Sequence, residues 1–285
     1  MTQLRIYPVK SFAGLDVVSA DVLPWGLAGD RRWGVVDADG EPVTARELNP
    51  MLGLTAEPMA DGGLLLSVGG GVWSGSGGAR FGTSALSAGE QAGDPLRVDI
   101  PTDAPAIAVG HSRQGTAVSA GDEADEWLSA RLGASVRLVW QPDPRARPVN
   151  PKHGGLPGEG LTLADAGPVL LTSEASLAQL DGWTDEATPP LDMRRFRPNV
   201  VVDGDLPFAE EGWSHVDLGG VRLRVASHCD RCVMTTIDPD TLTRGKEPIR
   251  TLAKHRRRDG KTWFGVRLVP TTSGTISVGD VANGW

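Results

Sequence analysis

Both cysteines of the chain lie in one stretch, Cys229-Asp230-Arg231-Cys232, after a β-like run and before a turn-rich segment built on Asp238-Pro239-Asp240. A thiolate at such a strand-to-loop junction can ligate a soft metal or take part in redox chemistry. The spacing is C-x-x-C, and it leaves several readings open. A thioredoxin-like dithiol needs the motif at a helix N-terminus, whereas Val233-Met234-Thr235-Thr236-Ile237 reads as a β-prone continuation. Structural zinc needs two further ligands, to be found among carboxylates or the scattered His111, His153, His215, His228 and His255. Two partly buried cysteines without chemistry are a further reading. Only His228 adjoins the cysteines, so histidine spacing gives a Ser-His-Asp hydrolase no support.

Basic residues at strand ends form a second signal. Lys10 closes the first apolar run, Arg31 and Arg32 follow Gly29-Asp30, and Arg197 precedes Pro198-Asn199. Guanidinium or ammonium groups beside backbone amides can hold a phosphate, so together these positions are candidates for an anion pocket, while for any single one a solvated surface charge is the commoner reading. The run Lys254 to Arg258 reads instead as a solvated helix face. Asp238-Pro239-Asp240-Thr241 is accounted for by turn chemistry, and Asp238 becomes a proton donor only if it faces the thiolate.

The elements that must position these groups are mostly strands. Leu4 to Val9, Val17 to Leu23, Trp33 to Asp37, Leu64 to Val68, Val136 to Trp140, Pro198 to Val202, Val221 to Val225 and Gly274 to Val278 are apolar, β-prone runs bounded by turn residues. Gly69 to Gly82, rich in glycine and serine, is expected to be an exposed loop. Apolar periodicity predicts a helix over Asp122 to Leu132 stopped by Gly133, and a short one over Ile249 to His255. Thr172 or Ser173 is expected to cap a third helix. Five prolines between Gln141 and Pro157 exclude regular helix there and mark a soft domain boundary. The expectation is a mainly β chain with a few helices (α+β).

At 285 residues the chain can form two domains, each with its own core. A formal charge of −8 gives no global support to nucleic-acid or anionic-membrane binding, so any anion is held locally. A cysteine pair this close in sequence is not a secreted disulfide scaffold. No apolar stretch approaches a transmembrane helix, and a strand-like run follows Met1 where a signal sequence would stand. The cytoplasm is the expected compartment, with no membrane anchor.

Taken in order, Ile6-Tyr7-Pro8-Val9-Lys10-Ser11, Gly29-Asp30-Arg31, Val43-Thr44-Ala45-Arg46, Leu171 to Leu177, Phe196-Arg197-Pro198-Asn199, Arg231-Cys232, Thr236 to Thr241 and the closing Val278-Gly279-Asp280 resemble MOSC-domain proteins. The likeness is to the branch containing the mitochondrial amidoxime-reducing component and its bacterial relatives. It implies a β-rich, barrel-like N-terminal MOSC-associated domain over 1–130 and a β-barrel-like MOSC domain over 131–285, with a molybdenum-pterin cofactor between them.

By motif matching, Cys232 falls on the molybdenum-ligating cysteine, and Cys229 lies outside the ligand position. Lys10, Ser11, Arg31, Arg197 and Asn199 fall on motifs that hold the pterin and its phosphate. Thr172, Ser173 and Asp230 join the cofactor-binding set, and Asp238 joins Cys232 as a catalytic candidate. The implied activity is two-electron reduction of a small N-hydroxylated substrate to an amine or amidine, with electrons from a separate donor protein. Pyridoxal phosphate binding is a weaker family property. Two alternatives remain: a sulfur (persulfide) or cofactor carrier using Cys232, and a dithiol oxidoreductase using both cysteines.

Overall fold

The structure is a computed structural model describing residues 1–69, 94–111 and 113–285. Among the described residues it is mostly strands, with three α-helices: α1 (Asp122–Leu132), α2 (Glu174–Asp181) and α3 (Ile249–His255). Apart from Gly69, the glycine-serine loop expected over 69–82 lies outside the described residues.

The larger sheet is built around two long antiparallel strands, Val221–Arg231 and Lys261–Pro270. Val169–Ser173 pairs with the second of these, Val200–Val202 runs parallel beside it, and Gln3–Ile6 adds on antiparallel. The register of the long pair shifts twice, between Val225 and Ser227 and between His228 and Asp230. The second shift lies opposite Gly265, whose φ is +77°. A Cβ there would stand 2.7 Å from the Leu171 carbonyl oxygen, so only glycine fits without displacing backbone. The bulges bend the cysteine-bearing strand beside the cleft described below.

A second sheet has the order Ala106–Val109, Gly115–Ser119, Arg137–Trp140, Trp33–Val36, Pro42–Val43. Each sheet thus draws strands from both sides of residue 131. Leu54–Pro58, Leu64–Val68 and Leu96–Val98 form a small antiparallel sheet of their own.

Three apolar clusters hold these layers. Trp33, Met51, Leu66, Leu128 and Leu138 pack under α1, whereas Leu4, Leu171, Val200, Leu223 and Val266 fill the larger sheet. Phe196 and Phe264 stack with centroids 4.0 Å apart beneath α2 and α3. Both rings are fully buried, a burial that contributes about 1.5–3 kcal/mol each.

The helices begin and end where the sequence indicates. Ser173 Oγ accepts the Ser176 amide at the start of α2, and Gly133 closes α1 in the left-handed region. One expectation is corrected. Val233–Thr236 forms a 3-10 turn instead of continuing the strand, because Thr235 and Thr236 turn their hydroxyls back onto the carbonyls of Cys232 (3.0 Å) and Val233 (2.7 Å).

Candidate functional site

The segment from Tyr7 to Phe12 leaves the larger sheet and crosses to the second one. Val9 bridges Trp33 in parallel, the Lys10 amide donates to the Trp33 carbonyl at 2.9 Å, and the Arg31 amide donates to the Tyr7 carbonyl at 2.7 Å. The cleft opens along this seam. Three of the residues that line it, Ser11, Arg31 and Arg197, have φ of +72°, +49° and +54°. Such backbone costs a non-glycine residue on the order of 1 kcal/mol and persists where surrounding structure enforces it.

A buried hub fixes Arg31. Asp30 is fully buried, and its carboxylate accepts the Tyr7 amide (2.8 Å), Asn199 Nδ2 (3.0 Å) and Arg31 Nη1 (2.6 Å). Asn199 also donates to the Arg5 carbonyl (3.1 Å), while its Oδ1 accepts from the Leu170 amide (3.1 Å) and Arg31 Nη1 (3.2 Å). Both hydrogens and the oxygen of that amide are thereby used within the protein. Asn199 lines the cleft, but its side chain positions Arg31 and has no donor left for a ligand.

Seven cations line the cleft: Lys10, Arg31, Arg46, Arg195, Arg197, Arg231 and Arg267. Arg31 and Arg197 lie over the Tyr7 ring, at 4.4 and 4.2 Å from its centroid. Burial, aided by the neighbouring Arg31, lowers Arg197 to about 10. Its Nη1 donates to the Phe12 carbonyl at 2.7 Å, and its Nη2 is buried without a hydrogen-bond acceptor. Lys10 Nζ donates to the Leu163 carbonyl at 2.9 Å and pairs with Asp165. Burial pushes Lys10 down, and the Lys10 ammonium holds the Asp165 carboxyl well below the usual range. The buried His111 has no hydrogen-bond partner at either ring nitrogen among the described residues, and burial, with Lys10 and Arg147 nearby, lowers it to about 3.

The cysteine-bearing strand ends at the same cleft. Cys232 is exposed with a free thiol and leads into the 3-10 turn, while Cys229 is buried. Arg231 Nη1 lies 2.8 Å from Cys229 Sγ, its Nη2 donates to the Phe196 carbonyl, and its Nε is buried without an acceptor. Residues three apart on an extended strand have Cα atoms about 10 Å from each other, beyond the ~4.4–6.8 Å a disulfide spans. With Cys229 to Arg231 in strand and Cys232 extended, this backbone does not present the pair as a dithiol.

Lys10, Ser11, Arg31, Arg197, Asn199, Asp230 and Cys232, all expected from sequence, line this one cleft. It contains about 830 Å³ of space, open solvent included. Asp230 is committed elsewhere: its carboxylate pairs with Arg267 and with Lys261 at 3.1 Å, and these cations hold it at about 2 against the opposing effect of burial.

The other three expected residues do not line the cleft. Thr172 is buried with its hydroxyl on the Met193 sulfur (3.2 Å), and the Ser173 hydroxyl is the α2 cap. Asp238 accepts the amides of Asp240 (3.1 Å) and Thr241 (2.9 Å) and pairs with Arg195. Against the effect of burial, those amides and Arg195 lower its pKa below the ordinary carboxylate value.

Reasoning from sequence omitted Arg46 and Asp165, which also line the cleft. Arg46 lies in the quoted Val43 to Arg46 motif and could have been taken from it. Asp165, between Ala164 and Ala166, has no local signal.

The MOSC N-terminal beta barrel domain matches residues 1–135, and the MOSC domain matches residues 158–283. The chain is 31% identical to mitochondrial amidoxime-reducing component 1 of Homo sapiens, over 98% of this chain and 81% of that protein. It is 33% identical to the protein of that name from Danio rerio, over 92% and 76%. A molybdenum cofactor sulfurase of Danio rerio is 30% identical over 94% of this chain and 31% of its own length.

Proposed function

The chain belongs to the MOSC-domain family, and from that premise we propose that it is a molybdenum-cofactor-dependent reductase of N-hydroxylated compounds such as amidoximes and hydroxylamines. The residues present fit a phosphate-bearing, thiolate-ligated group. Arg197 Nη2 is a buried donor lacking an acceptor, and Cys232 offers an accessible soft ligand in the same cleft. Lys10, Arg31, Arg46 and Arg197 would hold the phosphate end, and Cys232 Sγ would ligate the metal. When bound, the cofactor supplies two-electron exchange, so that an N-hydroxylated compound, two electrons and two protons become the reduced amine or amidine and water.

The protein's own contribution is placement and charge. Asp30 and Asn199 hold Arg31 from behind, so its guanidinium is set before a ligand arrives. Charge-assisted hydrogen bonds from such groups are worth about 1.5–3 kcal/mol each. The reading also takes a separate electron-donor protein and a cytoplasmic setting.

What supports this reading is the convergence of Lys10, Arg31, Arg46 and Arg197 with an exposed thiol on one cation-rich cleft. The test is metal analysis of protein from a cofactor-producing host, with benzamidoxime turnover driven by a reduced viologen dye. Near-stoichiometric molybdenum and turnover are expected, with turnover abolished in Cys232→Ser. Wild-type turnover in that variant would refute the ligand assignment. A metal-free wild type whose Cys232 accepts sulfane sulfur would favour the persulfide carrier, a reading consistent with the sulfurase match.

A further inference from the structure

Lys10 is one of the cations of the cleft, yet its ammonium is already engaged by the Leu163 carbonyl and the Asp165 carboxylate. The two side chains differ in setting. Lys10 is 12% exposed, whereas Asp165 is 66% exposed and lines the cleft. The other acids of the site are committed: Asp30 lies buried under Arg31, and Asp230 is paired with Arg267 and Lys261. Asp165 is therefore the carboxylate of the cleft lining that pairs with a cation of the Lys10, Arg31, Arg46 and Arg197 cluster. Its charge acts on Lys10, Arg46 and Arg31, and on Arg197 as well.

We infer that Asp165 is a resident counter-anion of the cleft, holding Lys10 until a phosphate group displaces it. This rests on the reading that the basic cluster takes a phosphate-bearing ligand, and it adds a selectivity device to that reading. A carboxylate on Lys10 weakens every phosphate that enters, because the incoming dianion must break an ion pair and then sit beside a like charge. Inorganic phosphate has only the cation cluster to hold it. A ligand that also bonds to Cys232 in the same cleft gains a second attachment and overcomes the same opposition. Asp165 thus keeps an open, strongly basic cleft from filling with common cellular phosphates.

The experiment is calorimetric titration of inorganic phosphate into the full-length, molybdenum-free protein at pH 7.5 and low ionic strength. Asp165→Asn and Asp165→Ser are compared with wild type, each alone and combined with Lys10→Ala. At least tenfold tighter phosphate binding is expected in both Asp165 variants, with the gain lost when Lys10 is absent. Unchanged or weaker binding in both would overturn the proposal, as would a gain that persists in the Lys10→Ala background. Because the titration uses no molybdenum and no turnover, failure of the reductase reading leaves its outcome intact. Conversely, a null titration alongside molybdenum-dependent turnover would strike only the counter-anion.

Discussion

Replacing Asn199 with aspartate tests whether this residue is an internal support or a ligand of the cleft. The change is nearly isosteric, but Nδ2, which donates to Asp30 at 3.0 Å and to the Arg5 carbonyl at 3.1 Å, becomes an oxygen. Two carboxyl groups about 3 Å apart in a buried site cannot both ionise, so the folded pair retains a proton. Keeping a proton at pH 7 on a group whose unfolded pKa is about 3.9 costs roughly 4 kcal/mol. That proton serves one acceptor only, and the abandoned Arg5 carbonyl adds about 1 kcal/mol. The loss should thus be about 5 kcal/mol at pH 7 and about half of that at pH 5.

The sign follows from linkage. The introduced carboxyl has a raised folded pKa, so its stability deficit vanishes near the unfolded pKa and grows as pH rises. Urea unfolding of wild type and Asn199→Asp at pH 5, 6 and 7 reads the difference directly, since asparagine does not titrate. A gap below about 1 kcal/mol at pH 7, or one independent of pH, would refute the hub.

Two further perturbations address groups outside the cofactor-binding set. His111, with a folded pKa of about 3, sits below its unfolded value of about 6.5, so folding loses stability as pH falls through 6.5. The stability gap between wild type and His111→Phe should therefore shift in favour of the variant by about 2 kcal/mol from pH 7 to pH 5, and parallel profiles would place His111 in contact with water. Asp238→Asn should keep turnover within about twofold and lower stability by about 0.5–1 kcal/mol through loss of the partly exposed Arg195 pair. Amidoxime turnover reduced tenfold or more, with stability retained, would return Asp238 to the chemistry.

Much of the fold could be read locally because its signals are local. The periodicity of Asp122 to Leu132 with Gly133 behind it, the capping hydroxyl of Ser173 and the short apolar runs specify helices and strands within a few residues of chain. The 3-10 turn after Cys232 was misread because threonine favours strands, while its hydroxyl can also bond to a preceding carbonyl.

The candidate site divides in the same way. Residue type singled out Cys232 as a candidate soft ligand and Lys10, Arg31 and Arg197 as candidate phosphate-binding cations, since thiolates, ammonium and guanidinium groups carry that chemistry wherever they stand. Ordered motifs along the chain tied them to one family. What each neighbour is committed to was decided only by folding. Asn199 spends its amide on Asp30 and Arg31, Asp230 its carboxylate on Arg267, Ser173 its hydroxyl on a helix, and Asp165 meets Lys10 across 155 positions of sequence. A side chain's chemistry is a property of its type, but whether that chemistry is free for a ligand depends on partners the chain brings from far away, and those partners exist only in the folded state.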